Sequence, residues 1–224
     1  MQALDRTLEL DIALLAVERA ALAAMAVRAQ MGERGAGTIT KEDRSPVTVA
    51  DFAAQAVVAA TLQEAFRNDP LVGEEDSDGL RGDAALSVRS RVVEAVGRAL
   101  SRSVAGDEVL TWLDRGNARG DTDRYWVLDP IDGTKGFLRG GQFAIALALV
   151  EHGEVTAAVL GCPAYDLATA AMPGLILGAV RGQGSFEVAT AGAVRKARRP
   201  IRVADAHDVS SFRVCESVES GHTD

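Results

Sequence analysis

The chain has 224 residues, of which 47% are hydrophobic and 25% are charged, and its formal net charge is −8. These proportions are those of a soluble globular protein, and the acidic balance excludes the basic face with which proteins bind a nucleic-acid polymer. An acidic protein that binds phosphates needs a local source of positive charge, for which a divalent metal ion is the obvious candidate.

The most apolar stretch, residues 8–31, is interrupted by Asp11, Glu18, Arg19 and Arg28. A membrane-spanning helix tolerates few such charges, so no membrane span is expected. The early acidic residues also argue against a secretory signal or a transit peptide. We therefore expect a cytoplasmic protein without a membrane partner, although an organellar location stays open.

The two cysteines, Cys162 and Cys215, lie far apart in the sequence. They form neither a short-spaced pair of metal ligands nor a disulfide framework. We interpret both as buried structural thiols.

Helices are predicted in the first half of the chain. Apolar residues recur at helical spacing over residues 5–31, and similar periodicity marks residues 51–67 and 86–101. Thr48 is placed to cap the second of these helices, which is expected to begin near Asp51.

Short strands separated by glycine-containing turns are predicted in the second half. Short connections favour antiparallel neighbours, so this half is expected to form a meander. Helices followed by strands predict a layered α+β fold, and the basic segment 190–199 is expected to be a solvated loop. The predicted strands are residues 125–129, 143–150, 155–160, 176–180, 185–189 and 201–204.

The strongest functional signal is the sequence Asp-Pro-Ile-Asp-Gly-Thr at residues 129–134, directly after an apolar strand. Asp129 and Asp132 can face one cavity from a tight turn, and Mg²⁺ prefers such carboxylates together with other oxygens. The Ile131 carbonyl is a further candidate ligand, and Thr134 is a candidate donor to a phosphate. Gly133 allows close approach of a ligand. The alternative interpretation is an exposed acidic turn with a capping threonine.

Two further segments carry acidic residues. The Gly-Glu-Glu-Asp sequence at residues 73–76 is a weak signal alone, but a site with two metal ions needs more carboxylates than one Asp pair supplies. Asp43 and Asp51 are candidates to orient water or a ligand from outside the metal shell.

With these segments in hand, the chain resembles the lithium-sensitive, magnesium-dependent phosphatases of the inositol monophosphatase superfamily. Within it, the chain is most similar to the 3′(2′),5′-bisphosphate nucleotidases. Superfamily features are Val47-Thr48 followed by Asp51, Gly73-Glu74-Glu75 and residues 129–134; features of the branch are residues 41–48, 135–140, 161–163 and 216–222. The resemblance implies the layered helix and antiparallel-sheet sandwich of this family.

The resemblance also implies roles for individual residues. Two or three Mg²⁺ ions are expected, with Glu74, Asp129, Asp132 and the Ile131 carbonyl as ligands. Asp43 and Thr134 would orient and deprotonate the attacking water. Gly133 and Thr134 would contact the phosphate, and Glu219 and His222 would lie near the nucleoside.

The implied reaction is hydrolysis of the 3′-phosphate of adenosine 3′,5′-bisphosphate to AMP and phosphate, with 3′-phosphoadenylyl sulfate as a second substrate. A small-molecule nucleotide is then the partner, and a monomer is expected. One alternative is a phosphatase acting on inositol or sugar phosphates. Another is a non-catalytic paralogue that still binds metal or nucleotide.

The non-catalytic alternative is motivated by one departure from the family pattern. Members of the family continue past the point matched by Asp224, with a Trp-Asp motif that this sequence lacks. From this we expect residues 1–190 to form a metal-binding phosphatase domain and residues 191–224 to begin an incomplete second α/β domain.

Overall fold

The computed structural model describes residues 6–32, 45–165, 174–190, 192–205 and 208–212. Two long helices, α1 (Thr7–Gly32) and α2 (Ser45–Ala65), pack against each other and carry much of the core. Alanine is a strong helix former and lets helix axes approach closely, and the buried residues of both helices are rich in it. The predicted first helix is confirmed.

The predicted start of the second helix is wrong. We expected Thr48 to cap a helix beginning near Asp51, but α2 begins at Ser45, so Thr48 lies inside it. The Ser45-Pro46 pair falls in the first helical turn, where the fixed φ of proline is favourable and its missing N–H costs no hydrogen bond. The helix ends at Ala65, two residues before the predicted end.

Three shorter helices follow. The predicted third helix is confirmed as α3 (Leu86–Leu100). Two others were not predicted: α4 (Gly106–Asp114), whose first turn is capped by the Glu108 carboxylate, and α5 (Thr134–Leu138). Among the described helices, none is long and apolar enough to span a bilayer.

In the described part of the chain, seven strands form one sheet in sequence order. The first strand, β1 (Leu71–Val72), is parallel to the second and was not predicted. The others form an antiparallel meander, as expected: β2 (Arg124–Asp132), β3 (Ala144–Glu151), β4 (Glu154–Cys162), β5 (Leu175–Val180), β6 (Gly184–Ala189) and β7 (Arg199–Ile201). The observed β7 shares only Ile201 with its predicted range.

The helices cover one face of the sheet. Alternate residues of the central strands, including Leu128, Leu147 and Val159, are buried beneath α1 and α2. Leu147 lies opposite Leu128 on one neighbouring strand and opposite Val159 on the other, so the three form one row across the sheet. The opposite face carries small side chains such as Ala148 and Ala158, which line a groove of about 430 Å³. The predicted domain boundary at residue 190 stays a prediction, although β7 beyond it pairs with β6.

The contact between α1 and β4 depends on Gly161. A Cβ atom at this position would lie 2.5 Å from Cγ1 of the buried Val17. Real Cβ atoms essentially never come this close to another heavy atom, so a larger residue must displace the Val17 side chain or α1 itself.

We predict that Gly161→Ala lowers the free energy of unfolding by about 1–3 kcal/mol through overpacking. Urea denaturation measures it, with Gly106→Ala as the control, because a Cβ there meets nothing closer than 3.9 Å. Adding Val17→Ala should recover part of the loss. Strictly additive effects of the two substitutions would contradict this account.

Candidate active site

A β-bulge near the end of β2 places two carboxylates on one face of the sheet. Asp129 lies opposite Ala146 of β3, while Asp132 lies opposite Ala144. An advance of three residues along β2 is therefore paired with an advance of only two residues along β3. In a regular strand, residues three apart point to opposite faces, but the extra residue of the bulge reverses this for Asp132. Both carboxylates thus lie on the face opposite the helices.

The chain then makes a sharp turn. Gly133 has φ of +84°, in the left-handed region that favours glycine, and α5 begins at Thr134. The Phe137 amide donates to the Gly133 carbonyl at 3.0 Å, and the Phe137 ring is fully buried. The Thr134 hydroxyl donates to the Ile131 carbonyl at 3.3 Å. Thr134 does not cap this helix through its side chain, so the alternative of a capping threonine is wrong.

The acidic loop after β1 reaches the same place. Because β1 is parallel to β2, with Leu71 opposite Trp126, both strands lead their chains to the same end of the sheet. Burial and the negative charges of Asp129 and Asp132 raise the pKa of Glu74. Burial and the charge of Asp132 likewise raise the pKa of Asp129. The charge of Asp132 therefore acts on both Glu74 and Asp129.

Asp51 of α2 adds a fourth carboxylate. Burial, followed by the charges of Glu75, Glu74 and Asp129, raises the pKa of Asp51 to about 8. The sequence marked Asp51 only as a residue outside the metal shell. The structure brings it close enough to the others for their charges to act on it.

The loop after α5 is held by an arginine that the sequence analysis missed. Arg28 of α1 donates to the Gly141 carbonyl at 2.8 Å and also to the Gly140 carbonyl. Burial lowers the pKa of Arg28. A Cβ at Gly136 would collide with the Gln142 carbonyl, so only glycine fits this turn. The segment 135–140, which carries part of the resemblance, is thus a packed turn with fixed contacts.

The sequence matches the profile of the inositol monophosphatase family over residues 6–224. The chain belongs to this family. Members of the inositol monophosphatase family are metal-dependent phosphatases.

Curated relatives of this family member carry a more specific name. A 3′(2′),5′-bisphosphate nucleotidase of Schizosaccharomyces pombe is 39% identical over 96% of this chain and 65% of its own length. The 3′(2′),5′-bisphosphate nucleotidase of Emericella nidulans is 36% identical over 95% of this chain and 66% of its own length. The chain thus spans slightly less than two thirds of the length of these relatives.

A solved structure shows the same fold. CysQ from Bacteroides thetaiotaomicron, a bacterial member of the inositol monophosphatase family, superposes with a TM-score of 0.54 at 22% identity. The match covers 90% of this chain and 60% of that protein. It confirms the predicted fold class.

The carboxylates fit the metal dependence of the family. Oδ1 of Asp129 is buried and has no hydrogen-bond partner among the described residues, and a buried charged oxygen without a partner is costly. Carboxylate oxygens are the ligands that hard divalent cations prefer. In the conformation described, however, no three acidic, histidine or cysteine side chains are close enough to enclose an ion among the described residues.

Three predicted site residues, Asp43, Glu219 and His222, lie outside the described residues, and their roles stay predictions. Cys215 lies outside as well. Cys162 is a free thiol at the end of β4 that is half-buried rather than fully buried. Burial and the charge of Asp132 raise its pKa, which disfavours the reactive thiolate and agrees with a structural thiol.

The raised pKa of Asp51 predicts that the stability of the folded chain depends on pH. Asp51 holds its proton up to about pH 8 in the folded chain but only to about pH 4 when unfolded. The folded state therefore binds more protons in this window, and its stability falls as the pH rises. We predict that, with divalent cations removed by EDTA, the free energy of unfolding of the wild type declines between pH 5 and pH 8.5 and that Asp51→Asn makes this decline smaller.

Chemical denaturation across this pH range measures the effect. The control is Asp121→Asn, which removes an exposed carboxylate from a loop before β2. Parallel stability curves for the wild type and Asp51→Asn would contradict the burial and coupling of Asp51.

Proposed function

We propose that this protein hydrolyses the 3′-phosphate of adenosine 3′,5′-bisphosphate to AMP and phosphate, and accepts 3′-phosphoadenylyl sulfate as a second substrate. The observation that carries the proposal is the convergence of Asp51, Glu74, Asp129 and Asp132 at one end of the sheet. The names of the curated relatives support the substrate class. The resemblance of residues 135–140 and 161–163 to that branch supports it further.

The proposed cofactor is Mg²⁺, in two or three ions. Glu74, Asp129, Asp132 and the Ile131 carbonyl would hold it. When bound, it supplies positive charge to the phosphoryl oxygens and lowers the pKa of water. Its positive charge would also favour the ionised form of the carboxylates, whose pKa values are raised by burial and by one another.

Proton handling is assigned to Thr134 and Asp43. The Thr134 hydroxyl donates a hydrogen bond to the Ile131 carbonyl, which leaves its oxygen lone pairs free to accept a hydrogen bond from the attacking water. Asp43 would take the proton that the attacking water loses, directly or relayed through the Thr134 hydroxyl, and keep the nucleophile aligned for in-line attack. Gly133 and Thr134 would contact the phosphate.

Nucleoside binding, oligomeric state and cellular location complete the proposed function. Glu219 and His222 would lie near the nucleoside. The enzyme would be a cytoplasmic monomer that acts on free nucleotides, with no nucleic-acid polymer or membrane as its partner.

One alternative is favoured by a specific observation, since the matching profile is that of the inositol monophosphatase family as a whole. In that case an inositol or sugar phosphate would be the substrate. A panel of phosphate esters at equal concentration separates the two activities.

We predict phosphate release from adenosine 3′,5′-bisphosphate by the purified chain with Mg²⁺, no release with EDTA, and inhibition by lithium. Asp129→Asn should lower kcat by more than the roughly 10–100-fold that loss of an outer metal-site partner costs. Asp121→Asn, the matched control, should keep wild-type activity.

Each outcome of this assay decides something. Faster release from inositol phosphates would support the alternative substrate. A folded chain that releases phosphate from no ester would contradict the proposed function. Near-normal turnover by Asp129→Asn would contradict the site assignment.

A further inference from the structure

The buried amide of Gln55 connects α2 to the acidic loop. Gln55 is one helical turn after Asp51, and its side chain is fully buried. Polar side chains are rarely buried to this degree unless their hydrogen bonds are satisfied inside the protein.

Gln55 binds the backbone of the two glutamates that follow β1. Its Oε1 accepts hydrogen bonds from the Glu74 amide at 3.0 Å and the Glu75 amide at 2.9 Å. Its Nε2 donates to the Glu75 carbonyl and, at 3.5 Å, to the Leu113 carbonyl. Two backbone N–H groups face the oxygen and two carbonyls face the nitrogen, so the pattern fixes which end of the amide is which.

Two glycines make room for this amide. A Cβ at Gly73 would lie 2.5 Å from Oε1 of Gln55, and a Cβ at Gly116 would collide with Nε2. The Gly73 amide also donates to the Gly116 carbonyl at 2.8 Å. The side chain is therefore enclosed by backbone on two sides, and its position leaves the loop little freedom.

We propose that Gln55 is a positioning residue, which holds the backbone of Glu74 so that the Glu74 carboxylate faces Asp129 and Asp132 for a divalent cation. This inference rests on the proposed function, because it assigns Gln55 to the same metal site. Gln55 acts through the backbone and touches neither the cation nor the substrate.

The neutral amide suits this role. A glutamate here would place a carboxylate oxygen against the Glu75 and Leu113 carbonyls and add a negative charge beside Asp51. A methionine would fill a similar volume but leave both loop amides without their acceptor. Both substitutions should release the loop, whereas the packing volume changes little.

The test measures Mg²⁺ binding directly, by calorimetry without substrate, in the wild type, Gln55→Met and Gln55→Glu. The matched control is Thr61→Val, which removes two hydrogen bonds of a buried side chain of α2: the Thr61 hydroxyl donates to the Val57 carbonyl at 2.8 Å and accepts from Arg19 at 3.3 Å. The Mg²⁺ dissociation constant should rise by about 10–100-fold in both Gln55 variants, the range known for outer metal-site partners. The dissociation constant should not change in Thr61→Val, even if this variant is destabilised as much as the Gln55 variants.

A kinetic readout separates positioning from chemistry. The Gln55 variants should need more Mg²⁺ for half-maximal turnover, while kcat at saturating Mg²⁺ stays near the wild-type value. Should the Gln55 variants fail to fold, Gly116→Ala pushes on the amide from outside the loop and should also weaken Mg²⁺ binding.

The outcomes distinguish this inference from the proposed function. Folded Gln55→Met with wild-type Mg²⁺ affinity, or Gly116→Ala with wild-type affinity where the Gln55 variants unfold, overturns the positioning role. Weakened binding in a protein that hydrolyses no bisphosphate supports the role and refutes only the proposed substrate. A wild-type chain that binds no Mg²⁺ overturns both.

Discussion

The repulsion among carboxylates at the end of β2 is the constraint on which the rest of the structure depends. Burial and neighbouring negative charge raise the pKa values of Asp51, Glu74, Glu75 and Asp129. Such an arrangement costs folding free energy, because each charge disfavours the next. Proteins retain costly clusters of this kind mainly where a ligand supplies the opposite charge.

The opposite end of β2 shows what a structural acidic cluster looks like. There Arg124 contacts Asp69 at 2.8 Å, Glu151 at 2.9 Å and Glu9 at 3.3 Å. Hydrogen bonds from Thr156 and Arg124 outweigh burial and lower the pKa of Glu151. The charges that raise the pKa values at the other end belong to further carboxylates. One end of β2 therefore carries acidic side chains paired with arginine, whereas the carboxylates at the other end raise one another's pKa values.

Sequence patterns predicted the frame and most of the cluster. Periodicity located α1, α3 and the first five meander strands, and the motifs located Glu74, Asp129 and Asp132. The bulge that aligns Asp129 with Asp132 was not predictable, because it is a property of the pairing with β3. Gln55 and Arg28 were missed for a related reason: their partners are backbone atoms about 20 and more than 110 residues away in sequence. A short helix such as α5 has too few residues to show a period.

The most direct test of the cation site is the effect of Mg²⁺ on thermal unfolding of the wild type and of Asp129→Asn at pH 8. If the carboxylates repel one another until a cation binds, Asp129→Asn should be the more stable protein in EDTA. Added Mg²⁺ should then raise the Tm of the wild type and have little effect on the variant. Equal Tm values in EDTA together with equal responses to Mg²⁺ would contradict the account.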